Sequence, residues 1–550
     1  MALSVPLLPH SFWLGHLAIL AKCQLKYPRD LLVMTLPQLV AEDYPELAAQ
    51  HGLFYLDSWP FSYPMIAVMH PDLIAQFTQQ VSFPKHPTLQ TEFMPFTQCR
   101  DLLNLEGAEW KLWRGVFNPG FSVKNLMALM PAFVEEIGVF RDWLGCVADD
   151  GRVVPLDDQA SALAADVIGR AALDARLNCQ VQENAFYNAV KAQVKHLIID
   201  NSPPSMLKRL NPRRPFQIRR NNRIMDAYLT PLIEQEAGKH SQSIASPGDE
   251  QQLQSQPPPP SPPPPKTIIS LAVKAYMDEM QSQSQSQTLQ TDSKPHQQVA
   301  PKLDPTFVAT AIAQIKIFVL AGHDTTSAAL SFSYHLLHKH PATLRLLRAE
   351  HDRVLGPDPA TAPALLSTSP QLLNQLPYTS AIIKESLRLF PPAASVRIGS
   401  QQGHCLVHPV TGQRYPTEGF LLFSCHSAAH RYPTVWPRAD DFVPERWLAR
   451  EGEPLHVRKN AFRAFELGPR NCIGQELAQM ELRAILALTA REFAIESVYE
   501  GGKDQGQWKG DACYPCSTPG DFATGHPKDS LPVRVRRRVH VPAGDDEVDA

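Results

Sequence analysis

Little in the 550 residues points to a highly charged partner or to a stapled fold. Net charge is −3, from 52 Lys and Arg against 55 Asp and Glu, so no global field draws in nucleic acid or an acidic membrane. The nine cysteines, at 23, 99, 146, 179, 405, 425, 472, 513 and 516, form an odd set scattered over a long chain. That pattern argues against a disulfide framework and for a reducing compartment. Cys513 and Cys516 make the one C-x-x-C, without a second pair or a histidine at zinc spacing, and read as a surface turn around Pro515. No internal repeat, flavin or nicotinamide motif is visible. Residues 1–24 carry neither an unbroken apolar run of spanning length nor the pattern of a signal peptide, being interrupted by Pro6, Pro9, His10 and His16. They read as a Pro-containing, hinge-like segment with no visible membrane anchor.

What is present is core material. Hydrophobic residues make up 44% and charged residues 19%, the profile of a large globular chain. Two low-complexity tracts, QQLQSQPPPPSPPPPK (251–266) and QSQSQSQTLQ (281–290), bracket a short amphipathic stretch, TIISLAVKAYMDEM. Pro-rich and Gln/Ser-rich sequence cannot bury enough apolar area to order itself, so 240–303 reads as a mobile surface insertion. From Pro305 to Pro341 the chain is apolar on most faces, which predicts a helix through the centre of a large domain. A second helix, YTSAIIKESLRLF, should stop at Pro391-Pro392. Short apolar runs in HGLFYLDSWPFSYPMIAVMHP and GFLLFSCHSAAH suit strands. The fold class is mainly α with a small β-rich part.

The chemistry concentrates in FELGPRNCIG, Phe465 to Gly474. A thiolate that ligates a metal from a loop needs backbone N–H groups aimed at its sulfur. Gly468 and Gly474 would let the backbone wrap Cys472, Arg470 offers a fixed cation, and the following QELAQMELRAILALTAREF places Cys472 near a helix N-terminus, which lowers a thiol pKa. A buried free cysteine beside a helix start is the bland alternative. On these five specified positions in ten residues, the segment resembles the haem-binding loop of the cytochrome P450 family, and motifs of that family recur in order along nearly the whole chain.

The resemblance implies one catalytic domain, 25–550, with haem b held between the long central helix and the Cys-loop helix. It implies that Cys472 is the axial ligand of the haem iron, with Phe465 beside the sulfur and Arg470 on a propionate. Trp110 and Arg114 match the family's shared propionate contacts, and Arg397 in PPAASVRIG matches another. Glu385 and Arg388 in KESLR lie on one helix face, and with Arg446 of FVPERW they match a buried structural triad. In isolation an E-x-x-R pair is ordinarily an exposed pair worth a few tenths of a kcal/mol. AGHDTTS, Ala321 to Ser327, resembles the oxygen-activation motif: Asp324 and Thr325 would relay protons through water, and Gly322 would let the helix open locally for O₂. By family position, Phe93, Phe96, Phe318, Val319, Ala321 and the AASV loop would contact a bulky lipophilic substrate.

The implied reaction is O₂-dependent oxidation with electrons from NADPH through a cytochrome P450 reductase, cytochrome b5 being an additional donor. Arg458, Lys459 and Arg463 are candidate docking charges. The chain looks most like filamentous-fungal members acting on polyketides or terpenoids. Such members sit on the cytosolic face of the endoplasmic reticulum membrane, with an incomplete N-terminus or a soluble enzyme as the two explanations for the missing anchor. An isomerase or dehydratase that needs no reductase, and a haem-thiolate sensor, remain as alternatives. The basic run KRLNPRRPFQIRRNNR (208–223) has no nucleic-acid motif beside it, and reads equally as a lipid-headgroup contact or a solvated loop. His335, His338 and His340 do not converge on one ion at helical spacing and read as a solvated helix end.

Overall fold

The longest apolar run of the sequence becomes the axis around which the other helices pack. In chain order the helices that position the site are α1 (Thr88–Thr97), α2 (Gly107–Phe117), α3 (Val123–Asp150), α4 (Leu156–Leu173), α5 (Ala185–Val194), α6 (Pro203–Leu210), α7 (Arg214–Ala245), α8 (Ile268–Thr288), α9 (Pro305–Lys339), α10 (Pro377–Leu389) and α11 (Gln475–Thr489). The structure is a computed structural model and describes residues 6–59, 62–197, 203–245, 265–288, 303–399, 403–499, 507–516 and 524–538.

Local chemistry sets the bounds of α9. The Asp304 carboxylate accepts from the Phe307 N–H at 3.3 Å, Pro305 takes the first helical position, and the chain leaves helical geometry at His340 before Pro341. Every residue from Ala311 to Leu320 is buried, so the helix is apolar all round because neighbours cover it all round. Among the described residues it is also the one helix long and apolar enough to cross a membrane, and its packed position identifies it as a core helix. Its closest companion is α4. Ser161 and Ser327 hydroxyls meet at 3.0 Å between the two, and a Cβ on Gly322 would fall 2.9 Å from Ile168 Cγ1.

The strands form small sheets at the flank. Apart from the short pair Cys405–Val407 and Arg414–Pro416, they are, in chain order, β1 (Leu53–Leu56), β2 (Met65–Val68), β3 (Val153–Pro155), β4 (Ser395–Ile398), β5 (Leu421–Ser424), β6 (Phe493–Ser497), β7 (Pro515–Cys516), β8 (His526–Pro527) and β9 (Pro532–Arg537). One sheet has the order β1-β2-β5-β4, with β2 and β5 parallel in the register Met65 to Leu421 and the other pairs antiparallel. A second has the order β3-β9-β6, and β7 pairs with β8 so that His526 faces Cys516. The mainly helical expectation with a small β part therefore holds, as do the two expected helices and the strands in both apolar runs.

Three expectations fail for lack of tertiary information. The 240–303 insertion is not wholly a surface excursion. Within it Ile268, Ile269, Ala272, Val273 and Met277 of α8 lie in the main core, Tyr276 stacks on Phe307 at 4.1 Å, and the helix continues through the Gln/Ser repeat to Thr288. Apolar pairs four residues apart gave this short stretch one face to bury. Residues 251–264 and 289–290 of the low-complexity tracts lie outside the described residues. Cys513 and Cys516 are no surface turn: both are buried free thiols, beside a core that includes Trp508 and Tyr514. His335 is not solvated either. It is 2% exposed, with its ring nitrogens 3.0 Å from Ser497 Oγ and 3.0 Å from Asp511 Oδ2, because the chain's C-terminal part folds over that end of α9.

Candidate functional site

The loop before α11 is shaped by its own hydrogen bonds. Cys472 N–H donates to the Phe465 carbonyl at 2.8 Å and Asn471 N–H to the Gly468 carbonyl at 3.1 Å. Gly468 has φ +95°, and a Cβ there would lie 2.2 Å from the Thr78 carbonyl oxygen, so no other residue fits. Gly474 differs from expectation. It caps α11 with φ −85°, and a Cβ would stand 3.9 Å from Cys472 Sγ, an ordinary contact.

Cys472 is exposed by area yet enclosed by protein, so its sulfur borders an internal cavity rather than bulk water. Burial pushes its thiol up, against the Gly474 N–H and the Arg114 guanidinium, which pull it down. The lowering expected from the helix end is thus reversed, since a helix terminus acts over one turn while desolvation acts on the whole group. A chain of aromatic contacts leads from this loop to α9. Gly474 borders Phe121, Phe121 meets the Phe318 ring at 5.4 Å, and Phe318 precedes Ala321 by one turn. Ala321 is exposed and Thr325 half-exposed in an otherwise buried stretch of α9, so this face also borders the interior space.

One edge of the site gathers cations. Arg470 donates to Glu106 and, at 2.7 Å, to the Leu105 carbonyl, and its guanidinium lies 4.3 Å over the Trp110 ring. Arg114, one turn beyond Trp110 on α2, donates twice to Asn471 at 2.9 Å. Arg397 is fully buried; one nitrogen serves Ser395 Oγ at 2.9 Å, while Nε and Nη2 have no partner among the described residues. Lys85 pairs across a β-bridge with Arg397, and burial followed by the Arg397 and Arg470 charges pushes its ammonium down to about 7. Burial, too, lowers Arg397 to about 10. Buried cations with bare N–H groups require an anion. The set fits a haem: its propionates would meet Arg397, Arg114, Arg470 and Trp110, and its iron would take the Cys472 sulfur.

Behind the loop lies a buried ionic knot. Arg388 holds Glu385 through two bonds of 2.9 and 2.8 Å, and Arg446 adds a third at 3.0 Å; all three side chains are fully covered. Trp447 Nε1 and the Val443 N–H also donate to Glu385, each at 3.0 Å, and both guanidiniums flank Trp436. The knot reaches the thiol loop through His430, whose ring receives the Arg463 N–H at 2.8 Å. Arg463 is buried and pairs with Glu466, so it cannot serve as a docking charge, whereas Arg458 and Lys459 are exposed.

The motif on α9 behaves differently from expectation at Gly322. The helix stays regular there, and the glycine serves the close approach of α4 described above. Thr325 Oγ1 donates to the Ala321 carbonyl at 2.8 Å, and Asp324 is buried. The expected substrate residues do not form one surface. Phe96 lines a cavity of about 620 Å³ between α1, α7 and α9, bordered also by Ile312, Asn222, Glu234 and a Lys316–Asp226 ion pair of 2.7 Å. Phe318 packs between Phe117 and Phe121, Val319 is wholly buried, and Phe93 is half-buried on α1.

Sequence reasoning missed Lys85 and Glu466. Nothing in FPKHP marks Lys85, because its role follows from strand pairing with Arg397. Glu466 had a signal, a carboxylate three residues after an arginine inside the thiol motif.

A family model of cytochrome P450 matches residues 31–507. The chain is 35% identical to cytochrome P450 monooxygenase polC of Polytolypa hystricis over 96% of this chain and 89% of that one. It is 30% identical to cytochrome P450 monooxygenase acrF of Aspergillus aculeatus over 86% and 90%. Among solved structures, the cytochrome P450 CYP102L1 superposes with TM-score 0.66 at 19% identity, covering 92% of this chain and 96% of that one, which speaks for the fold alone.

Proposed function

The chain belongs to the cytochrome P450 family and is a monooxygenase, and from that premise we propose that it oxidises a bulky lipophilic metabolite, a polyketide or terpenoid of fungal secondary metabolism, with electrons from an NADPH-dependent reductase. The observation that carries this reading is the thiol of Cys472, set in a hydrogen-bonded loop at the start of α11 on an internal cavity that Ala321 and Thr325 of α9 also border. Haem, when bound, supplies the reductive activation of O₂ and the oxidation itself.

The protein's part is to hold, orient and protonate. Cys472 ligates, with the Gly474 N–H directed at its sulfur. Arg397, Arg114, Arg470 and Trp110 neutralise and orient the carboxylate edge of the cofactor, and Lys85 adds a fourth cation. The Glu385–Arg388–Arg446 knot fixes the loop from behind. Thr325 and Asp324 pass protons toward the cavity. Phe93, Phe96 and Ala321 belong to the substrate's surroundings, with Phe318 and Val319 acting through packing. The likeness to fungal monooxygenases such as polC and acrF supports the metabolic setting. The domain runs from about residue 25 onward, with an insertion at 240–303 that includes α8.

The basic run 208–223 lies mostly on α6 and α7 rather than in a loop, with exposed Leu210 and Phe216 inside it and exposed Met206 and Leu207 just before it, a composition suited to anionic lipid on the endoplasmic reticulum surface. Co-sedimentation with phosphatidylserine vesicles, lost at high salt, checks it. For the chemistry, Cys472→Ala should abolish the thiolate-type absorption of the carbon-monoxide complex and all turnover while leaving the far-ultraviolet dichroism intact; an unchanged absorption would sink the assignment. Wild-type turnover should require NADPH, reductase and O₂ together, which separates this reading from an isomerase or a sensor.

A further inference from the structure

Asp324 is held from outside its own helix. Thr524 Oγ1 donates to its Oδ2 at 2.8 Å, and His526 Nε2 lies 3.3 Å from its Oδ1. The other ring nitrogen of His526, Nδ1, lies 2.6 Å from Oδ2 of Asp157 at the start of α4, and Asp157 Oδ1 accepts from Ser331 of α9 at 2.8 Å. Asp157, His526 and Asp324 are 0%, 1% and 4% exposed. A carboxylate–imidazole–carboxylate bridge therefore joins α4, the β7–β8 hairpin and α9 in the interior.

The geometry decides the charge. A neutral imidazole has one donor and one acceptor nitrogen, and here both nitrogens face carboxylate oxygens, while Thr524 Oγ1, also 3.3 Å from Nε2, gives its proton to Asp324 Oδ2; with both carboxylates ionised only the doubly protonated ring satisfies both contacts. Electrostatics agree. Burial by itself would push the ring down, but attraction and hydrogen bonding to Asp157 and Asp324 outweigh it and hold His526 at about 10. Burial would likewise raise Asp324, yet the bond and charge of His526, with His323 and Thr524, keep it below the usual carboxylate value. The other titratable groups around the bridge are His323 on α9, Asp158 on α4, Tyr187 and Lys191 on α5, and Cys516 on β7. Burial lowers His323, which leaves it no second proton to give, and raises Asp158, Tyr187 and Cys516. Asp324 is thus a carboxylate with no proton of its own to give, next to a ring that has one.

We infer that His526 is the proton store that recharges Asp324, with Asp157 as the positioning residue that keeps its ring charged and aimed. The inference rests on the reading of Asp324 and Thr325 as the proton pair. Because the ring binds its proton more tightly than Asp324 does, the transfer is uphill and proceeds only as the proton is drawn onward: the Nε2–H bond of His526 breaks as an O–H bond forms on Asp324 Oδ1, and that proton leaves through the Asp324–Thr325 pair. The ring is left neutral, with Nδ1–H still donated to Asp157, and water later restores its proton; no electrons move.

Two measurements on the holoenzyme test this. In the diamagnetic ferrous carbon-monoxide complex with ¹⁵N-histidine, the ring signal that His526→Gln removes should carry protons on both nitrogens from pH 6 to 9. A singly protonated ring at pH 7 overturns the inference. The second measurement uses cumene hydroperoxide as probe, without reductase or substrate. Protonation of its outer oxygen favours heterolysis to the alcohol, and its absence favours homolysis to acetophenone. His526→Gln should lower the alcohol-to-acetophenone ratio several-fold, toward that of Thr325→Ala. Asp157→Asn should match wild type at pH 6 and lose the ratio several-fold by pH 9, while wild type stays flat. Wild-type ratios in both variants overturn the inference, as does a loss in Asp157→Asn that is the same at every pH, the mark of a structural role. A missing reductase requirement would overturn the electron route alone, since the hydroperoxide assay does not use it; a Thr325→Ala ratio equal to wild type would overturn the proton pair and this inference with it.

Discussion

The two walls of the proposed site are built by different means. On the thiol side, Glu385 alone receives bonds from Arg388, Arg446, Trp447 and Val443, and the knot continues through His430 and Arg463 to Glu466 and the Cys472 loop. On the facing side, around α1, α7 and the first half of α9, the lining mixes apolar Phe96, Val308 and Ile312 with polar Asn222, Thr230 and Glu234, and of the Lys316–Asp226 pair only the lysine is buried. A ligand to a metal must be held within a fraction of an ångström, and directional bonds do that. A wall that receives a lipophilic molecule needs volume and apolar area, which many side-chain sets supply equally well.

Substitutions can break this contrast. The largest effect is expected for Glu385→Ala, which strands two buried guanidiniums; about 3–5 kcal/mol should be lost, read as a fall in thermal midpoint together with poor haem retention. Next comes Glu466→Gln. Burial would raise this carboxyl, but His426 and Arg463 outweigh it and hold it at about 2. A depressed carboxyl stabilises the fold above its unfolded value near 4.5, and that contribution is lost as pH falls from there toward 2. The variant should therefore be less stable than wild type by about 2–3 kcal/mol at pH 7, with the gap closing below pH 4.5 in denaturant titrations; a pH-independent gap would remove the carboxylate from the knot.

On the facing wall the effects should be smaller and of another kind. Phe93→Ala should cost about 1–2 kcal/mol, because this half-buried side chain of α1 has fewer contacts to lose than a core phenylalanine. It should alter which lipophilic compounds shift the haem absorption band and leave the carbon-monoxide spectrum as it was. The smallest effect on stability belongs to the exposed pair Arg458 and Lys459. Reversing both charges to Glu should leave the melting curve unchanged and slow reduction by the reductase at low salt, with the difference fading as salt rises. A rate that ignores salt would place the docking face elsewhere.

The same contrast explains what could be read from the chain. The thiol wall was legible, since Phe465, Gly468, Arg470, Cys472, Glu385, Arg388 and Arg446 recur at fixed spacings wherever directional bonds must be made. Even there, the burial of Arg463 and the upward push on the Cys472 thiol were not visible, because both depend on what the loop is pressed against. The substrate wall was poorly legible. Phe318 and Val319 carry the right chemistry at the right positions, yet rotation of α9 turns them into packing.

By itself the sequence determined the periodic elements, the limits of α9 between Asp304 and Pro341, and the residues able to ligate and orient a haem, because each follows from chemistry within a few neighbours along the chain. Only the folded structure decided that Gly322 admits α4 rather than opening the helix, that Ile268 to Met277 belong to the core, and that His526 stands between Asp157 and Asp324. Those outcomes join segments as much as 369 residues apart, and no local pattern encodes a contact whose partners meet only when the chain has packed.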